Sequence, residues 1–302
     1  MTAAARPSTP DADDTPTPQP IRSLAIIGGG FMGAGIAQSA ALAGIPVVLH
    51  ELPEYLDGAR QRLEGSMDRA VKRGKCDPAD RDAALARTTL TSELTDAAGV
   101  DLVIEAVPEN LELKTSVMKA LGDVVAGDTI IASNTSSIPI AQLASAVPKP
   151  DRVVGLHFFS PVPVMRLVEI VRALDTSEET IATAHAFVEQ LGKEAIETKD
   201  RSGFVVNFLL IPYLMTAVRM YEEDFATRED IDRGMKLGAG HPMGPLALCD
   251  FIGLDILHAI CSSLYEEFKR HEYASPPLME RMIAAGRLGR KSGRGFYDYP
   301  TS

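Results

Sequence analysis

The chain of 302 residues contains only three cysteines, Cys76, Cys249 and Cys261. Three scattered thiols, an odd count, build neither a disulfide framework nor a metal knuckle, and they suit a reducing compartment. Basic residues are scarce as well: Lys plus Arg number 30 against 41 Asp plus Glu, a formal charge of −11. A surface of that sign repels phosphate backbones, which argues against a nucleic-acid partner. Long apolar runs are missing too. The most apolar long segment, residues 204–218, is broken by Asn207 and Pro212 and falls short of the roughly 20 residues a membrane-spanning helix needs. No apolar signal-peptide core stands near the N-terminus. The expectation is a cytoplasmic protein without membrane attachment or bound metal.

What is present is ample material for a core, since 45% of residues are hydrophobic, and enough length for two domains. Residues 1–20 stand apart. They hold five of the twenty prolines, three aspartates and no bulky apolar residue after Met1, so they cannot offset the entropy of ordering and read as a disordered tail. From residue 21 the pattern alternates short buried strands (24–27, 47–49, 102–106, 130–132) with helical stretches. Near-continuous apolar strands separated by helices imply a parallel sheet covered on both faces. Residues 55–75 carry helix-spaced apolar positions among many charges and read as a helical arm beside that sheet. Beyond residue 200 the strand signals vanish. Helical spacing then fills 205–225, 228–237, 254–269 and 278–285, and Gly203, Gly238, Gly240 and Pro242 punctuate it. The fold class is therefore α/β over 21–200, a Rossmann-type doubly wound sheet, followed by an all-helical C-terminal domain over 201–302.

Two segments carry chemistry. The first runs from a strand through Gly28-Gly29-Gly30-Phe31-Met32-Gly33 into a helix. In a G-x-G-x-x-G turn the first glycine permits the tight bend, the second lets a pyrophosphate approach, and the third lets helix and strand pack closely. Gly28, Gly30, Phe31, Met32 and Gly33 are thus candidates for a dinucleotide site. Glu51, at the end of the next strand, stands where a carboxylate accepts the ribose hydroxyls, and no arginine follows it closely to welcome a 2′-phosphate. NAD is expected rather than NADP, unless Glu51 is merely a solvated strand end. The second segment, residues 155–171, holds two apolar runs around Pro161-Val162-Pro163 and reads as a hairpin. Centring it on Pro163 sets His157 opposite Glu169. A carboxylate beside an imidazole orients the ring and supports its protonated form, as a general base requires. Ser136, in a polar segment following a sheet strand, and Asn207, in an apolar helix, add polar groups; a helix-to-helix hydrogen bond is the alternative role for Asn207.

These readings converge on a resemblance. The segments GGGFMGAGIA (28–37), IEAVPENLELK (104–114), SNTSSI (133–138), HFFSPVPVMRLVEI (157–170), SGFVVN (202–207), KLGAGHPMGPLALCDFIGLD (236–255) and GRKSGRGFYDY (289–299) resemble the L-3-hydroxyacyl-CoA dehydrogenase family, which includes bacterial 3-hydroxybutyryl-CoA dehydrogenases. The likeness covers residues 21–299. It implies a helical domain that forms a homodimer, an active site in the cleft between the domains, and an acyl-CoA thioester as substrate. It also implies His157 as catalytic base, Glu169 as its orienting acid, and Ser136 and Asn207 on the reacting oxygen or the thioester. Glu109, Lys114, Ser136, Ser160 and Lys291 fall at dinucleotide-contacting positions. Ser160 departs from the family's usual asparagine in HFFNP and is shorter, with only a hydroxyl to offer. His241 stands where tyrosine is common and reads as a packing residue. Arg60, Arg69 and Lys72 on the arm are candidates for the CoA phosphates, the alternative being an ordinary solvated face. Two other functions stay open: a dehydrogenase for acyl-carrier-protein-bound substrates, and a non-catalytic NAD-binding structural protein.

Overall fold

The structure, a computed structural model, describes residues 18–300. Most of the expected tail lies outside those residues, but Gln19 does not belong with it. Its N–H donates to Thr183 Oγ1 at 3.1 Å and its side-chain amide to Glu179 Oε1 at 2.7 Å, so contacts with the folded unit are made before Ile21. Two compact units follow. The first runs up to Asn134 and resumes over Ile140–Glu197; the second takes Thr135–Pro139 and the chain from Thr198 onward.

The first unit is built on β1 (Leu24–Ile27), β2 (Val47–His50), β3 (Thr88–Thr91), β4 (Leu102–Glu105), β5 (Ile130–Ser133), β6 (Val153–Phe158), β7 (Leu167–Arg172) and β8 (Glu194–Lys199). They form one sheet in the order β3-β2-β1-β4-β5-β6-β7-β8. β1 to β6 run parallel, and β7 returns antiparallel to β6. The apolar strands β1 and β4 are buried along their whole length, which explains why they are legible in sequence. β3 and β8, which the sequence reading missed, are half-exposed and rich in Thr, Glu and Lys, so neither carries an apolar run.

The connecting helices are α1 (Phe31–Leu42), α2 (Leu56–Lys72), α3 (Pro78–Ala86), α4 (Leu111–Val124), α5 (Ile140–Ala144) and α6 (Glu178–Gln190). α1 is rich in small residues, and its buried Gly33, Ala34, Gly35, Ala37, Ala40 and Ala41 let it lie close on the sheet. α2 is the expected arm, and it is a packed layer. Ala59, Leu63 and Met67, spaced by one helical turn, are buried, and Ser66 Oγ donates to Gln38 Oε1 of α1 at 2.6 Å. Burying a side chain such as Leu63 or Met67 stabilises by about 1.5–3 kcal/mol.

At the far edge of the sheet Arg172 reaches both Glu178, at 2.6 Å, and Glu197, at 2.7 Å. The Arg172 hydrogen bond holds the Glu197 carboxyl below its ordinary range, with burial opposing. A depressed folded-state value means that this stabilisation is complete above the unfolded pKa, about 4.3, and is lost as pH falls through the folded one. Both side chains are partly exposed, which limits the effect to about 0.2–1 kcal/mol. Glu197→Gln is therefore expected to lower stability slightly at neutral pH and not at pH below the folded value, as urea unfolding at the two pH values would register.

The second unit holds α7 (Val206–Glu222), α8 (Arg228–Gly238), α9 (Pro245–Ile252), α10 (Leu254–Phe268) and α11 (Pro277–Ala284), packed on Leu214, Met215, Val218, Leu246, Leu257 and Leu264. α9 escaped the sequence reading because it is short and apolar without a clear period. Two buried aspartates organise it. Asp232 accepts the backbone N–H groups of Leu246 and Ala247 at its start, and Asp250 accepts those of Phe296 and Tyr297. Among the described residues no single helix is long and apolar enough to cross a membrane.

Candidate active site

The glycine turn sits where the strand order reverses: β1 has β2 on one side and β4 on the other, the place where ligands bind in doubly wound sheets. Gly28 has φ +105°, and a Cβ there would lie 2.8 Å from the Ala106 carbonyl oxygen. A Cβ on Gly33 would lie 1.8 Å from the Gly28 carbonyl oxygen. Around Gly30, by contrast, nothing stands within 4 Å of the Cβ position, so the turn is tight below and open above. Gly30 caps α1 without a side chain, leaving the first-turn N–H groups and the positive end of the helix dipole for phosphates. Phe31 is 61% exposed beside them, and Met32 is partly buried. Glu51 follows β2. Its Oε2 accepts the Gly29 N–H and its Oε1 the Leu52 N–H, both at 2.9 Å, which fixes the carboxylate beside the turn. This open backbone, helix end and fixed acid fit a dinucleotide.

Behind the turn lies a buried charge network that sequence reasoning passed over. Glu105, the last residue of the apolar strand β4, is 0% exposed. It accepts from Lys114 Nζ at 2.7 Å, from the Val107 N–H at 2.7 Å and from Ser133 Oγ at 2.6 Å. Lys114 also reaches the Val107 carbonyl oxygen at 3.1 Å and Glu109 Oε2 at 3.4 Å. The resemblance places Lys114 against the dinucleotide, yet here the residue is 1% exposed and its ammonium is engaged with protein groups; it shapes the loop after β4 that Gly28 packs on. The available signal was a lone acid ending an apolar strand nine residues before a lysine. Removing one member of a buried pair typically costs 3–5 kcal/mol. Lys114→Met is expected to destabilise by about that amount; chemical denaturation of the variant beside the unsubstituted enzyme decides.

The hairpin register pairs His157 of β6 directly with Glu169 of β7. The His157 Nδ1 to Glu169 Oε2 distance is 2.6 Å, and both residues are buried, Glu169 completely. An ionised carboxylate only accepts, so Nδ1 carries the hydrogen and the neutral ring keeps its lone pair at Nε2. The Phe159 ring lies 4.6 Å from the imidazole, and Asn134 Oδ1 accepts the Phe158 N–H at 2.9 Å. The connecting turn is held by Lys193, whose Nζ donates to the carbonyl oxygens of Val162 and Met165 at 2.6 and 2.7 Å. Val162 fills the notch left by Gly35 on α1. Ser160 is exposed at the start of this turn.

Arg60, Arg69 and Lys72 also belong to the first unit and lie exposed on α2. Ser136, Asn207 and Lys291 belong to the second. Ser136 sits in the segment Thr135–Pro139, which is tied to the start of α7 by Ser202 Oγ donating to the Ser137 carbonyl oxygen at 2.8 Å. Asn207 is in the first turn of α7 and half-buried, not fully buried as its apolar neighbours suggest, because a helix end leaves side chains more open than a helix middle. Lys291 Nζ pairs with Asp255 Oδ2 at 2.5 Å. His241 packs edge-on against Tyr213, with Nδ1 3.1 Å from the tyrosine hydroxyl.

A parallel sheet with a glycine turn at its switch point and a buried His–Glu pair on its extension is the build of a nucleotide-dependent dehydrogenase. Comparison with known proteins makes this specific. The family profile described as 3-hydroxyacyl-CoA dehydrogenase, NAD binding domain, matches residues 23–201, and that of the 3-hydroxyacyl-CoA dehydrogenase C-terminal domain matches 203–299. The chain is 49% identical over 282 residues to a 3-hydroxybutyryl-CoA dehydrogenase of Mycobacterium tuberculosis, covering 92% of this chain and 99% of that one. It is similar to the crystal structure of M. tuberculosis FadB2, with TM-score 0.92, 48% identity and coverage of 93% and 100%. It is also similar to (S)-3-hydroxybutyryl-CoA dehydrogenase PaaH1 from Ralstonia eutropha, with TM-score 0.88, 45% identity and the same coverage. The chain belongs to the NAD-dependent 3-hydroxyacyl-CoA dehydrogenase family.

Proposed function

We propose that the enzyme interconverts a short-chain L-3-hydroxyacyl-CoA, such as 3-hydroxybutyryl-CoA, and its 3-keto form, with His157 as the general base. The buried His157–Glu169 pair at 2.6 Å carries this reading. Bound at the glycine turn, NAD would supply the hydride acceptor for C3 of the hydroxyacyl group and, reduced, the donor for the reverse reaction. His157 Nε2 removes the C3 hydroxyl proton, and Glu169 holds the ring in the tautomer that can do so and stabilises the charge it gains. In the reductive direction the protonated imidazole donates to the 3-keto oxygen. Ser136 and Asn207 orient the reacting oxygen or the thioester. The glycine turn, Glu51, Glu109, Ser160 and Lys291 hold the dinucleotide, with Lys114 bracing the loop beneath it. Arg60, Arg69 and Lys72 meet the CoA phosphates.

The similarity to proteins named for 3-hydroxybutyryl-CoA supports a short acyl chain and favours CoA over an acyl-carrier protein. Exposed Leu209, Phe225 and Leu237, each at least 66% accessible on the second unit, support a homodimer, and the unpaired cysteines suit a cytoplasmic setting. NADH oxidation with 3-ketoacyl-CoAs of increasing length is the test. kcat/KM should be highest at four carbons and decline beyond; a maximum at long chains contradicts the short-chain reading.

A further inference from the structure

The basic residues assigned to ligand phosphates lie on the open face of α2, but a different arginine of that helix reaches the glycine turn. Arg62 Nε donates to the Gly29 carbonyl oxygen at 2.9 Å, while the Gly29 N–H donates to Glu51 Oε2 at 2.9 Å. A carboxylate and a guanidinium thus hold the same turn residue from its two ends. The helix that carries Arg62 is fixed there. A Cβ on Gly29 would fall 2.4 Å from the Ala59 Cβ, so α2 is wedged against the turn, and Leu63 beside Arg62 is 1% exposed. Gly58 makes room for the guanidinium, whose Nη1 and Nη2 stand 3.3 and 3.4 Å from where a Cβ at that position would be. Arg62 is exposed, and its polar contact among the described residues is the Gly29 carbonyl oxygen through Nε. With five N–H donors on a guanidinium, the two Nη groups keep their fork for a ligand.

An acid at the end of the second strand of a dinucleotide fold takes the ribose hydroxyls and repels a 2′-phosphate, whereas an arginine nearby accommodates it. This chain has both around one glycine. We infer that Arg62 is a latent partner for a phosphomonoester on the adenosine ribose, that of NADP(H), and that Glu51 keeps it silent. The inference rests on the reading of the glycine turn as the dinucleotide site.

The test compares NADPH with NADH as reductant of acetoacetyl-CoA in the full-length enzyme, taking the ratio of their kcat/KM values. Glu51→Gln is expected to raise that ratio about 10- to 100-fold, the equivalent of about 1.4–2.8 kcal/mol. Adding Arg62→Met should return it to within about threefold of the starting value. An unchanged ratio in Glu51→Gln, or the same gain with Met at 62, overturns the assignment. CoA carries the same chemistry in its 3′-phosphate. If, in the Glu51→Gln background, Arg62→Met raises KM for acetoacetyl-CoA while leaving the reductant ratio alone, the arginine serves the substrate and the NADP(H) assignment falls. Should Glu51→Gln fold poorly, Glu51→Ser carries the same comparison, read as competition of adenosine 2′,5′-bisphosphate and of 5′-AMP with NADH. Adding Arg62→Met to that variant should weaken the bisphosphate selectively, and equal weakening of both overturns the proposal. Absence of NADH binding in the unsubstituted enzyme would refute the site reading itself, a result distinct from any of these.

Discussion

Replacing His157 with glutamine is expected to lower turnover by roughly 10²–10⁴ while leaving NADH affinity nearly unchanged. Glutamine can still donate to Glu169, so the buried carboxylate keeps a partner and the hairpin its cross-strand pair. What it cannot do is accept a proton at the position of Nε2, so the loss falls on the proton-transfer step. On the proposed reading the dinucleotide meets the turn after β1, the helix end of α1 and Glu51, which belong to elements other than the β6–β7 hairpin that carries His157. Steady-state kinetics with acetoacetyl-CoA, paired with a fluorescence titration of NADH, separate the two quantities. Full turnover in the variant would remove His157 from its role. A large fall in NADH affinity would mean that the residue organises the dinucleotide site instead.

Two glycines of one turn should fail in different ways. Gly33→Ala places a Cβ 1.8 Å from the Gly28 carbonyl oxygen, backbone that no rotamer change can move aside. The expected cost is about 1–3 kcal/mol of folding stability, with at least a tenfold loss of NADH affinity, or about 1.4 kcal/mol, because the turn must open. Gly30→Ala meets nothing within 4 Å, and the residue has φ −66°, which alanine adopts freely. Its fold should be intact and its NADH affinity reduced, since the added methyl occupies the approach to the backbone. Gly234 is a control in α8 with nothing within 4 Å of its Cβ position. Gly234→Ala should leave NADH binding alone and stabilise the helix by about 0.5–1 kcal/mol. Thermal unfolding and calorimetric titration of the three variants settle the matter. Unchanged NADH affinity in both Gly30→Ala and Gly33→Ala would dissociate the turn from the dinucleotide.

The parts of the fold that were legible in sequence are those in which burial leaves a pattern. β1, β2, β4 and β5 are short apolar runs, and the helices α7, α8, α10 and α11 keep their period. The register of His157 with Glu169 could be counted from the Pro-Val-Pro turn because antiparallel partners lie at equal distances from the centre of the turn that joins them. Long-range contacts were not legible. Glu105 and Lys114 are nine residues apart, and nothing in either neighbourhood says that both side chains are withdrawn from water. Lys193 lies about thirty residues from the carbonyl oxygens it clamps. Arg62 reaches Gly29 across 33 positions, only because Ala59 and Leu63 hold α2 against the turn. The half-exposed β3 and β8 escaped for a simpler reason, as sheet edges need not be apolar.

The most direct test of the central claim is NADH consumption by the purified enzyme presented with acetoacetyl-CoA, with the product analysed for its configuration at C3. One equivalent of NADH should be oxidised per thioester reduced, giving the L-3-hydroxybutyryl-CoA enantiomer. Bound NADH with no oxidation, or formation of the opposite enantiomer, would contradict it.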